Sequence, residues 1–216
     1  MKAKKHLSVL LMSFLLCLCA CGKSDAKTEL ITPSPTETVA IPSIPELPEG
    51  EQIYAHIDVQ DYGSITVLLR PDCAPITVDN FVKIAETGFY DGLTFHRIIS
   101  GFMIQGGDPF GNGTGGLQEK IKGEFADNGI ENPLPHKRGT ISMCRGGRDY
   151  DSASCQFFIV HQDYPSLDGY YASFGYVTEG IEVVDAIVAD AHPIDGNGSI
   201  SPEDQPVINS ITIERK

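Results

Sequence analysis

The chain has 216 residues, 41% hydrophobic and 21% charged, with a formal charge of -13 from 29 acidic and 16 basic side chains. That length holds one sizeable domain plus accessories rather than two full domains, and the apolar fraction excludes wholesale disorder. The acid excess argues against nucleic acid as a partner, and six cysteines are too few for a disulfide scaffold.

Lys2, Lys4 and Lys5 precede an apolar run from Leu7 to Ala20 that is short for a bilayer span, so the start reads as an export signal. Its end, Leu18-Cys19-Ala20-Cys21, resembles a bacterial lipobox, in which the cysteine is diacylated and becomes the mature N-terminus. Two acyl chains give stable attachment to a membrane. Pro33, Pro35, Pro42, Pro45 and Pro48 then fall among Ser, Thr and Glu, where no helical or strand period survives. The expected organisation is a lipoprotein signal peptide over residues 1–20, a Pro-rich tether over 21–51 with Cys21 lipidated, and a folded domain over 52–216. The domain is thereby expected to be exported, lipid-anchored to the cell membrane and facing outside the cytoplasm. Removal of the signal takes three lysines and no acid, so the mature protein is more acidic still.

Tyr54–Val59 and Ser64–Arg70 alternate as strands around an Asp61-Tyr62-Gly63 turn. A helix opens at Pro75 with Thr77 as a plausible N-cap. Its apolar stripe is Val78, Phe81, Val82 and Ala85, and Gly88 ends it. Leu93–Ile99 and Phe102–Gln105 are short strands, and Gly106–Gly116, with six glycines in eleven residues, is a loop. This loop lacks the Gly-Lys-Ser/Thr ending of a phosphate cradle. Gly139–Met143, Gln156–His161, Tyr171–Val177 and Val207–Glu214 are further strands, and Gly180–Asp190 is a second helix. About eight short strands with two helices predict a mainly β fold, a closed eight-stranded antiparallel barrel capped by two α-helices, since closure removes exposed edges. If Gly139–Met143 and Gln156–His161 pair as a hairpin, Cys144 and Cys155 lie near its loop end, and a disulfide between them is expected outside the cell.

The run Phe95-His96-Arg97-Ile98-Ile99-Ser100-Gly101-Phe102-Met103-Ile104-Gln105-Gly106-Gly107-Asp108 closely resembles the signature of the cyclophilin-type peptidyl-prolyl isomerases. Asn112–Gly116, Ser154–Ile159, Leu167-Asp168-Gly169 and Phe174-Gly175 match later motifs of that family in order, so the likeness covers essentially the whole domain. It implies the cyclophilin-like barrel, with an active groove on its outer wall and Pro-containing polypeptides of the exported set as substrates. A holdase or Pro-segment binding module with little turnover is the alternative, and a monomer is expected.

Rotation about an Xaa-Pro bond is opposed by amide resonance, with a barrier of about 18–20 kcal/mol. No bond breaks, so no metal or cofactor is required. The reaction needs an apolar seat for the ring and a fixed cation that favours the twisted amide. Arg97 is the expected catalytic cation, because its guanidinium is always charged and rigidly forked. Gln105 shares a strand face with Met103 and is expected to orient Arg97 and the substrate backbone. By resemblance, Met103, Phe158 and Leu167 receive the ring and Phe102 completes the floor. By the same resemblance, Gly113, Cys144, Arg145 and Gly146 are expected to present backbone to the substrate and Gln156 to supply a polar contact. Two positions depart from the family pattern: Ser166 stands where an aromatic is frequent, and Tyr171, expected as a substrate contact that can still donate a hydrogen bond and pack, stands where a His is frequent.

Overall fold

A computed structural model describes residues 44–45 and 49–216, so the signal segment, Cys21 and most of the tether lie outside the described residues. Among these residues eight strands form: β1 (Ile53–Val59), β2 (Gly63–Leu69), β3 (Phe95–Ile99), β4 (Met103–Gly106), β5 (Thr140–Met143), β6 (Phe157–Val160), β7 (Ser173–Glu179) and β8 (Ile208–Arg215). Two α-helices accompany them, α1 (Pro75–Glu86) and α2 (Ile181–Asp190). Period-two alternation sets the faces. Ala55, Ile57 and Val59 of β1 turn inward with Ile65, Val67 and Leu69 of β2, and Ile57 pairs with Ile65 on one side and Ile211 on the other. The β1–β2 turn uses Asp61 at φ 65° and Gly63 at φ 115°.

All neighbouring strands are antiparallel, in the order β3-β4-β6-β5-β7-β2-β1-β8. The sheet curls but stays open, against the closed barrel expected from sequence. Among the described residues its end strands, β3 and β8, approach at their starts, through the Thr94–Val207 bridge and the bonds from Phe95 N to Pro206 O, from Ile208 N to Leu93 O and from Gly92 N to Ile208 O. Beyond that point another segment takes the β3 edge: Ile98 N donates to Gly198 O, and Ile200 N donates to His96 O. The edge is therefore protected by a loop instead of a partner strand. Gly198 permits the approach. It sits at φ 85°, and a Cβ there would lie 2.4 Å from Ile99 Cγ1.

Helix α1 starts at Pro75, whose fixed φ suits the first turn. Thr77 is not its N-cap; it lies inside the helix, fully buried. The orphan N–H groups are met from far away in sequence. Glu124, 2% exposed, accepts from Ile76 N at 3.0 Å and from Thr77 N and Thr77 Oγ1 at 2.7 Å. The inward face of α1 centres on Phe81, whose ring lies 5.1–5.6 Å from those of Tyr90, Phe157 and Phe174. Helix α2 buries Val183, Val184 and Ile187.

Candidate active site

The four strands β3, β4, β6 and β5 carry two different rows. One row is Ile98, Ile104, Ile159 and Ile141, paired strand to strand and at most 1% exposed, in the main core. One residue along, the row is Arg97, Gln105, Phe158 and Ser142. Because side chains alternate, this second row faces the opposite way. There Met103, Phe158 and Val160 form a separate small core with Ile99, Phe102, Cys144, Leu167 and Tyr171 against it.

Arg97 is held by neutral acceptors. Its Nε donates to the Asn197 carbonyl at 2.7 Å and its Nη1 to Gln105 Oε1 at 3.2 Å. Gln105 Nε2 donates to Gln156 Oε1 at 2.9 Å, and Gln156 Nε2 to the Gly115 carbonyl at 2.8 Å. A chain of amides thus fixes the guanidinium from one side and a backbone carbonyl from the other. Among the described residues no carboxylate pairs with Arg97, although the protein is strongly acidic.

Beside it lies a cavity of about 160 Å³ walled by Phe102, Met103, Phe158, Leu167, Cys144 and Tyr171, with Arg97, Gln105 and Arg145 on its rim. That is smaller than a typical small-molecule site and suits one compact ring. Phe158 is locked from two directions. Tyr171 meets it edge-on at 5.8 Å, and the buried His136 ring stacks on it at 6.0 Å. His136 is fixed in turn by Asp168 Oδ1 at 2.8 Å and Ser142 Oγ at 3.0 Å. Burial pushes the Asp168 carboxyl up, but the hydrogen bonds from His136 outweigh it and hold the pKa below the ordinary value.

A second cavity of about 290 Å³ adjoins the first, sharing Gln105, Cys144 and Arg145 and adding Gly113, Gly146 and Gln156. The two cavities together bring all twelve sequence-predicted catalytic and binding residues into one groove. Gly113 is placed by Asp108, 1% exposed, which accepts the backbone N–H groups of Phe110, Asn112 and Gly113. Burial raises the Asp108 pKa, yet these N–H groups bring it below its usual value.

The expected Cys144–Cys155 disulfide is absent; both are free thiols. Cys144 N bonds to Gln156 O, continuing the ladder in which Met143 faces Phe157. Cys144 therefore shares a side with Gln156, while Cys155, one residue away, points into the main core. Burial raises both thiol pKa values, which keeps them protonated.

Sequence reasoning missed several contributors. Asn197 acts through its carbonyl, which has no side-chain signature, although Gly196 and Gly198 flank it. The Tyr164 ring packs at a tilt against Phe102, 4.3 Å between centroids, so an aromatic supports this wall although Ser166 does not supply one. Arg145 is more than a loop cation. Its guanidinium lies 4.7 Å from Tyr171, 4.8 Å from Tyr150 and 5.2 Å from Phe125, with Nε donating to Tyr170 O at 2.9 Å.

Residues 54–215 match the family model described as cyclophilin type peptidyl-prolyl cis-trans isomerase. Peptidyl-prolyl cis-trans isomerase B of Bacillus subtilis is 48% identical over 124 residues, covering 57% of this chain and 82% of that protein. A Helicobacter pylori peptidyl-prolyl cis-trans isomerase is 49% identical over 127 residues, covering 58% of this chain and 74% of that protein. Among solved structures, a Cryptosporidium parvum cyclophilin type isomerase, crystallised in the presence of the dipeptide Ala-Pro, superposes with TM-score 0.66 at 28% identity. It covers 74% of this chain and 98% of its own.

Proposed function

The chain belongs to the cyclophilin-type peptidyl-prolyl cis-trans isomerases, and from that premise we propose that it accelerates Xaa-Pro rotation in exported polypeptides, with the groove around Arg97 as its active site. The observation that carries the assignment of the site is Arg97 itself, a cation held by two neutral acceptors at the mouth of an apolar cavity. A carboxylate partner would spend its charge; a carbonyl and an amide only aim it.

The proline ring seats against Met103, Phe158 and Leu167, with Phe102 beneath, and excludes water from the bond. As the amide twists, its nitrogen regains a lone pair, and the guanidinium stabilises that state over the planar one. Arg97 is already oriented before substrate arrives, so little reorganisation opposes the reaction. A thousandfold acceleration requires about 4 kcal/mol of differential stabilisation, within reach of one charge-assisted hydrogen bond plus orientation. Gln105 acts as a positioning residue toward Arg97 and, with Gln156 and the backbone of Gly113 and Cys144 to Gly146, holds the substrate chain.

The lipobox-like end of the N-terminal segment supports a second part of the same proposal: diacylated Cys21 anchors a monomeric domain to the membrane on its outer side. Isomerisation of an Ala-Pro peptide by the exported protein, followed by exchange NMR, tests the activity; a rate equal to the uncatalysed one refutes it. Membrane fractionation of Cys21→Ala tests the anchor. Release into the soluble fraction is expected, and unchanged sedimentation with membranes refutes the lipid attachment.

A further inference from the structure

The groove is electrically unlike the rest of the molecule. Among the described residues no carboxylate lines either of its two adjoining cavities, and the cations on them are Arg97, Arg145 and Lys120. The second cavity combines Lys120 and Arg145 with the hydroxyls of Thr114, Ser152 and Ser154. Among the described residues the hydrogen-bond partner of Lys120 Nζ is the neutral Ser154 Oγ at 3.4 Å, and the ammonium stands beside Gly116, where an added Cβ would lie 3.1 Å from it. Arg145 is fixed by its three aromatic neighbours and by carbonyls, none of which cancels its charge.

Three of the nearby carboxylates are engaged elsewhere, while Glu119 and Asp79 line a different cavity that Lys120 also borders. Asp108 accepts backbone N–H groups of its own loop. Asp151 accepts from Gly123 N and Asn128 and pairs with Lys122, and Asp127 bonds the Tyr150 hydroxyl. Two cations are therefore left facing an open polar cavity that shares Gln105, Cys144 and Arg145 with the cavity for the ring. A side chain entering it belongs to a residue near the proline in the substrate.

We propose that this second cavity selects an acidic side chain close in sequence to the substrate proline, with Lys120 and Arg145 as the specificity-determining pair. The proposal rests on the groove being the substrate site. It also gives an acidic protein a local means of receiving substrates that its overall charge repels.

Peptides with one Ala-Pro bond and Glu, Gln or Lys placed in turn at each position within three residues of proline test it. The dissociation constant and the isomerisation rate are measured separately for each. At one position Glu is expected to bind about tenfold tighter than its isostere Gln, and Lys more weakly than Gln, with the gap closing at high salt. In the surface variant Lys120→Glu, whose fold is checked by its melting temperature, the Glu preference is expected to fall to parity or below. Equal binding of Glu and Gln at every position overturns the proposal, as does a Glu preference that Lys120→Glu leaves intact. Binding of the Gln peptides without any rate gain refutes the isomerase reading alone, because the Glu-to-Gln ratio of dissociation constants still decides the charge preference.

Discussion

The inner and outer faces of β3, β4, β6 and β5 are made from the same short stretches of backbone, yet they are opposite in chemistry. Inside, four isoleucines meet in one row and do nothing but fill space. Outside, the next row along holds a cation, an amide, an aromatic ring and a hydroxyl. One face thus supplies the sheet's packing, and the other carries the side chains to which the proposed activity is assigned. Each face should therefore fail in its own way.

The largest effect is expected on the outer face. Arg97→Ala should lower kcat/KM for an Ala-Pro peptide about a thousandfold, near 4 kcal/mol, with the melting temperature within a few degrees of the parent; near-parental activity would refute the mechanism. Ile104→Ala is its mirror image. It should cost about 3–4 kcal/mol of stability in urea unfolding through the cavity it leaves, while kcat/KM per folded molecule changes little. Glu124→Ala tests a support shared by neither row. It strips the partner from the Ile76 and Thr77 amides and should cost about 2–3 kcal/mol, read as a lower urea midpoint. Gln105→Ala loosens Arg97 without removing it, and a loss of about tenfold in kcat at nearly constant KM is expected.

The smallest effect is electrostatic. Asp108 and Asp168 both have native pKa values below their ordinary ones. The unfolded chain therefore takes up protons first as pH falls, so their contribution is present above about pH 4 and is lost below it. Urea midpoints from pH 7 to pH 3 should be level at first and then drop. Asp108→Asn should make that drop shallower, and an unchanged slope would show that the loop's carboxylate is not responsible.

Period-two spacing in β4 made the shared side of Met103 and Gln105 legible in sequence. The family-like runs carried Arg97 and the wall proposed to bind the ring. Contacts set by distant segments were not legible. Thr77 looks like a cap because Ser and Thr usually cap locally, but Glu124, 47 residues away, takes the role. Closure was expected because an exposed edge is a liability, and the Gly198–Ile200 segment answers that liability in a way no periodicity announces. The disulfide expectation used loop proximity without register, and a one-residue offset sends Cys144 and Cys155 to opposite faces.

The segment that covers the β3 edge has a consequence for how inactive molecules arise. Asn197, which aims Arg97, immediately precedes Gly198, which accepts the Ile98 amide. Detaching this loop in a fluctuation would unseat the guanidinium and bare a strand edge in the same event. Loss of competence and exposure to self-association are thus one opening, and the exchange rate of the Ile98 amide proton serves as its clock.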